Sequence, residues 1–145
     1  MTRVQGCPLC DEAGGRLVHD AAKFRVIHAV EAGFPAYRVV WKAHVAEWSD
    51  LPSADRGLCM EAVAVVEQCL RDALAPAKIN LAALGNMVAH LHWHVIARFD
   101  WDTRFPAPVW APAQRERDAA REAAVEAALP AAERDMVQRL SSRSF

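Results

Sequence analysis

Three histidines stand at alternate positions in His90-Leu91-His92-Trp93-His94-Val95-Ile96, half of the six in the chain. Side chains alternate along an extended strand. His90, His92 and His94 are therefore predicted on one face, with Leu91, Trp93, Val95 and Ala97 on the other, packing on a helix. Two chemistries suit such a row. One is metal binding. A rise of ~3.3 Å per residue sets the His90 and His94 backbones ~13 Å apart. A Zn–N bond is only about 2 Å long, so one ion takes two neighbours, or one of them with distant ligands. The other is nucleophilic catalysis, in which a central imidazole attacks an electrophile and its neighbours donate or relay protons. A reference pKa of ~6.5 leaves imidazole mostly neutral at neutral pH.

The second constellation is Cys7-Pro8-Leu9-Cys10. A redox Cys-Pro-x-Cys should follow a strand and open a helix, and the two glycines in Asp11 to Gly15 oppose a helix there. A zinc site needs two further ligands. Two unliganded thiols are the third reading. Cys59 and Cys69 lie ten residues apart in a helical segment, off one shared face, and read as core or half-buried thiols.

These groups need a frame. Arg16 to His19 and Lys23 to His28 read as short strands, and Ala32-Gly33-Phe34-Pro35 as a break. Tyr37-Arg38-Val39-Val40-Trp41-Lys42 is β-branched and aromatic, a third strand. Ser53 to Ala75 is the clearest helix. Ser53 is placed to cap it, Asp55 suits its first turn, and Pro76 stops it. Leu58, Ala62, Val65, Val66, Cys69 and Leu70 form its apolar stripe. Lys78 to Leu84 and His90 to Phe99 read as strands four and five. A short loop at Gly85-Asn86 would join them as an antiparallel hairpin. The prolines of Phe105 to Pro112 exclude regular helix or central strand. Gln114 to Leu140 reads as an Ala-rich helix broken at Pro130.

Composition narrows the class. Seventeen Lys+Arg against 18 Asp+Glu give a net charge of −1. That is neither a nucleic-acid coater nor an acidic disordered chain. The segment from Arg115 onward carries six basic and six acidic residues, so it is no electrostatic arm. Ala accounts for 29 of the 145 residues, which leaves apolar bulk for one core rather than two. Every apolar run falls short of the ~20 residues of a membrane span. Met1 to Cys7 shows no apolar export segment, so a cytosolic location with reduced thiols is expected.

Gly85-Asn86-Met87-Val88-Ala89-His90-Leu91-His92-Trp93-His94-Val95-Ile96 resembles the signature of the histidine triad (HIT) family, three histidines alternating with apolar residues. Lys42-Ala43-His44-Val45 resembles the family's upstream histidine segment. Cys7-Pro8-Leu9-Cys10 is similar to the zinc-binding bacterial branch. The resemblance runs from Cys7 to about Arg98. It implies an α+β fold with a five-stranded antiparallel sheet, one long helix and a two-fold dimer. The division expected is a HIT-like domain over 1–101 and a C-terminal helical extension over 102–145.

Carried over by motif, His92 would be the nucleophile, forming a nucleotidyl-histidine intermediate at an α-phosphorus. His94 would contact the phosphate, and the His90 carbonyl would orient the His92 ring. Gly85, Asn86 and Met87 would face phosphate oxygens through backbone N–H groups. Glu31 and Asn80 would contact the rest of the substrate. Cys7, Cys10, His44 and His90 would hold a structural zinc, and the chemistry itself would need no metal. The implied substrate is a phosphoramidate, dinucleoside polyphosphate or nucleotide conjugate. Asn86 stands where the family often has Gln, and Met87 where a hydroxyl residue is common. A non-catalytic nucleotide-binding module is the alternative function. A cupin-type metal oxidoreductase is the third, although it wants another His downstream and none follows His94.

Overall fold

The computed structural model describes residues 1–31 and 33–145, apart from the side chain of Val30. Five strands form one antiparallel sheet: β1 (Arg16–Asp20), β2 (Phe24–Glu31), β3 (Phe34–Trp41), β4 (Lys78–Ala82) and β5 (His92–Arg98). Their order is β1-β2-β3-β5-β4. A helical turn, α1 (Pro8–Asp11), precedes them; α2 (Ser53–Leu74) crosses from β3 to β4, and α3 (Ala119–Ser141) ends the chain. This is the α+β architecture expected. No helix is long and apolar enough to cross a membrane among the described residues.

The period-two pattern of the strands gives the sheet two unlike faces. Phe24 and Val26 of β2, Val39 and Trp41 of β3, and Val95 and Ala97 of β5 point to the helical side and join one core with α2 and α3. Leu91 and Trp93 pack there too, as their alternation predicted. Among the described residues the opposite face is covered by apolar side chains in two places. Leu9 of α1 lies on Ile27 and Val40. Val109, from the proline-containing segment, lies against the cluster of Ala29, Ala36 and Ile96. Between these two covers the second face is open.

Several local expectations need correction. Ser53 is the first helical residue of α2 rather than its cap; Pro52 holds the cap position with no side-chain bond. The helix ends at Leu74 through Ala75 in the left-handed region, at φ 45°, before Pro76. Both Cys59 and Cys69 are fully buried, as expected of core thiols; only the width of the stripe differs, since it reaches Cys59 as well as Cys69. Burial pushes the Cys59 thiol up to about 12 and the Cys69 thiol up to about 11, which suits inert packing. Strand β3 starts at Phe34, so Pro35 lies inside it. Its cross-strand partner is on β2, beyond the end of the β5 pairing, where a missing N–H costs little. The part of that expected break at Ala32 is outside the described residues.

Pro130 does not break α3, which runs through it from Ala119 to Ser141. Tertiary packing overrides the local cost, with Leu129, Ala132, Met136 and Leu140 all buried in the common core. β4 and β5 pair antiparallel, but the chain from Ala83 to Leu91 between them is a wide loop rather than a tight turn.

Candidate active site

The loop before β5 makes one correction decisive. β5 begins at His92, so His90 is not on the strand. His92 and His94 do share the open face, their ring centroids 4.9 Å apart. His90 instead turns inward and is fully buried. Its Nε2 lies 2.5 Å from the Trp41 carbonyl. A carbonyl only accepts, so Nε2 carries the proton and donates, and Nδ1 keeps a lone pair. That lone pair faces Cys7 Sγ and Cys10 Sγ, each at 3.5 Å.

The same rule settles the His92 tautomer. Its Nδ1 is 2.6 Å from the His90 carbonyl oxygen and donates to it. Nε2 is therefore left with the free lone pair of a nucleophile. Burial, the largest cause, and the charge of Arg38 lower the His92 pKa against the opposing pull of the His90 carbonyl. His94 is lowered further, to about 4, by burial first and then by His92 and Arg38. Both rings are neutral at pH 7.

His92 and His94 line a cavity of about 400 Å³ together with Gly85, Asn86, Met87, Val88, Arg38, Leu84 and Trp110. The loop residues expected beside the phosphate are thus brought to the histidines. Gly85 has a φ of +72°, a conformation open to glycine at little cost, and it turns the loop across the strand ends. Met87 is 96% exposed and brings no polar side-chain atom to the cavity. Glu31 and Asn80 are not in this cavity. They line an adjoining groove of about 1130 Å³ that shares His94, Leu84 and Trp110 with it. Glu31 is paired with Arg38 at 3.3 Å. The Asn80 Oδ1 accepts from Arg98 Nη1 at 3.0 Å.

Cys7, Cys10, His44 and His90 come together from three separate parts of the chain, with ligand atoms all within 4.8 Å of one another. Three sulfur–nitrogen separations in the cluster are 3.5 Å. A tetrahedron with Zn–S of about 2.3 Å and Zn–N of about 2.0 Å has an S···N edge of about 3.5 Å. The four residues therefore fit a zinc ion. Among the described residues this is the only such cluster, and it contains neither His92 nor His94. The cupin-type reading, which needed two triad histidines on one metal, loses its ligand set. The redox reading of the cysteine pair also weakens, since α1 opens no long helix and follows no strand.

Two residues of the site escaped sequence reasoning. Arg38 is directly opposite His94 in the β3–β5 register. Its one signal was a lone charge inside an apolar strand. Trp110 reaches the cavity from a proline-containing segment that carries no periodicity.

The HIT domain model matches residues 12–101. The chain belongs to the HIT family. Among solved structures, a histidine triad protein from Bradyrhizobium japonicum is 27% identical with a TM-score of 0.70, over 90% of this chain and 98% of that one. A histidine triad protein from Sinorhizobium meliloti is 26% identical with a TM-score of 0.65, over 81% of this HIT chain and 90% of that one. A Zn-bound histidine triad family protein from Mycobacterium smegmatis shares the fold at 18% identity and a TM-score of 0.62, over 95% and 98% of the two chains. No curated protein matches.

Proposed function

We propose that this HIT protein hydrolyses or transfers nucleotides at an α-phosphorus through a covalent intermediate on His92. The supporting observation is the 2.6 Å contact between His92 Nδ1 and the His90 carbonyl, which leaves Nε2 unprotonated in a ring that lines the cavity. In the first step the Nε2 lone pair attacks phosphorus. The bond from phosphorus to the leaving group breaks, and the leaving group departs with the electron pair and takes a proton from water. The His92 ring is then cationic. The His90 carbonyl already accepts its Nδ1–H and stabilises the charge as it develops, a gain larger in the transition state than before it. In the second step water attacks phosphorus and gives up a proton to solvent. The Nε2–phosphorus bond breaks, and the neutral imidazole returns.

In this reading His94 donates a hydrogen bond to a phosphoryl oxygen as a neutral imidazole. Backbone N–H groups of Gly85, Asn86 and Met87 take the others. Substrates of phosphoramidate, dinucleoside-polyphosphate or nucleotide-conjugate type fit, with Glu31 and Asn80 along the groove that would take the remainder. Cys7, Cys10, His44 and His90 would hold a structural zinc. Bound there, it ties α1 and the segment after β3 to the residue whose carbonyl orients the nucleophile. Four free cysteines fit a reducing cytosolic setting. The HIT-like domain is assigned to 1–101 and the extension to 102–145.

The test is a panel of adenosine phosphoramidates and dinucleoside polyphosphates, followed by adduct trapping. The expected adduct maps to His92, and His92→Ala loses turnover by about 10³-fold or more while its melting temperature holds. Wild-type turnover in His92→Ala overturns the assignment. Nucleotide binding with no hydrolysis of any substrate favours the binding-module reading, for which the hydroxyl-free Met87 is the first position to test.

A further inference from the structure

Strand β3 runs Phe34-Pro35-Ala36-Tyr37-Arg38-Val39-Val40-Trp41, with one charge in it. On the open face of the sheet, Arg38 stands between Ala36 and Val40, each buried under one of the two covers. It is across from His94 in register and lines the cavity with both strand histidines. Among the described residues its one acidic partner is Glu31, through a single contact of 3.3 Å from Nη2. Its Nε is buried and has no hydrogen-bond partner among the described residues. A half-satisfied guanidinium against apolar neighbours is costly unless an anion completes it.

The cavity has a matching deficit. His92 and His94 are its other polar side chains besides Arg38 and Asn86. Met87 offers no hydroxyl. Among the cavity-lining residues Arg38 is the one permanent cation.

We propose that Arg38 is the phosphate clamp of this site: its guanidinium binds non-bridging oxygens of the substrate's phosphoryl group beside His94, supplying the side-chain donor that position 87 lacks. The ligand class is a phosphoryl anion. Binding completes the buried Nε and replaces or shares the long Glu31 contact with charge-assisted hydrogen bonds. Glu31 then has a second role, as the carboxylate that holds the guanidinium in the free protein and competes with the incoming anion. The inference rests on the cavity being a phosphoryl site, as proposed above.

The experiment is a titration of the full chain, followed by two-dimensional NMR, with orthophosphate, AMP and adenosine. The variants are Arg38→Met, Arg38→Lys and Glu31→Gln. Arg38→Met is expected to weaken orthophosphate and AMP about 10- to 100-fold and leave adenosine unchanged. Arg38→Lys recovers part of the loss. Glu31→Gln tightens orthophosphate, which has no remainder beyond the phosphoryl group for Glu31 to touch. Folded Arg38→Met that binds both anions as the wild type does overturns the clamp, as does a wild type that binds neither. If Arg38→Met fails to fold, unchanged orthophosphate affinity in both Arg38→Lys and Glu31→Gln overturns it. Phosphate binding through Arg38 without any His92 adduct would sink the hydrolase reading and leave the clamp standing. Adduct formation and anion affinity unaltered in Arg38→Met would do the reverse.

Discussion

His90 directs three polar groups at three neighbours. Nε2–H goes to the Trp41 carbonyl, Nδ1 faces the cysteine pair, and its own carbonyl accepts from His92. One fully buried residue thus links the metal-competent cluster, through its ring, to the proposed nucleophile, through its carbonyl. The neutral state of the next two histidines has a consequence for pH. A protonated imidazole has no lone pair to attack with, and burial holds the His92 pKa below 6.5. The rate of adduct formation is expected to stay level as pH falls through 6.5 and to drop only below it; a pH–rate profile checks this. Folding stability follows the same sign. Near pH 6.5 the unfolded chain takes up protons at His92 and His94 that the folded chain refuses. Stability is therefore complete above about 6.5 and declines as pH falls toward 4. Melting temperature against pH should show this slope, and His94→Asn should flatten it.

At the scale of elements, two short segments complete the open face of the sheet, and neither is stable alone. The four-residue α1 is below the length at which a helix holds itself. Leu9 docks on Ile27 and Val40, and Arg25 donates to the carbonyls of Leu9, Glu12 and Ala13. The four-residue ligand set would add the remaining tie. Cys7→Ser is expected to lose about one zinc per chain and lower the melting temperature. Full stability without metal, in reduced protein offered zinc, would count against the set. The second segment leads to Trp110. Asp102 holds it, accepting from Arg98 at 2.9 and 3.0 Å and from the N–H groups of Phe99, Arg104 and Phe105. Asp102 and Arg98 are each 2% exposed. Asp102→Ala strands a buried guanidinium and should cost about 3–5 kcal/mol in denaturant unfolding.

β1 and β4 are the two edge strands of the sheet, and Leu17 of β1 is 50% exposed. β1 is backed by α3, through Arg16 paired with Glu133, which also accepts from the Tyr37 hydroxyl. β4 is the opposite edge, with Leu81 41% and Leu84 52% exposed beside it. An unpaired apolar edge is open to strand addition. The segment from Trp101 to Trp110 folds onto its own sheet through Asp102 and Val109. The homodimer reading therefore rests on β4. Light scattering should give a dimer mass, and Leu81→Lys should shift it toward monomer. A concentration-independent monomer would refute it.

What the sequence determined by itself was local. Alternation placed His92 and His94 on one face whatever the strand paired with, and helical spacing marked the buried side of α2. Gly85 announced a turn before the strand because a positive φ favours glycine. The triad motif carried the family. The rest depends on contacts between distant parts of the chain. Arg38 and His94 are 56 positions apart and meet only through the β3–β5 register. His90 left the strand because a buried carbonyl and two cysteines offered its ring better partners than the open face did. Pro130 stayed helical because four buried side chains outweighed one missing hydrogen bond. Local patterns fix which way a residue points on its own element, whereas the partner it meets is set by topology, which no short window of sequence contains.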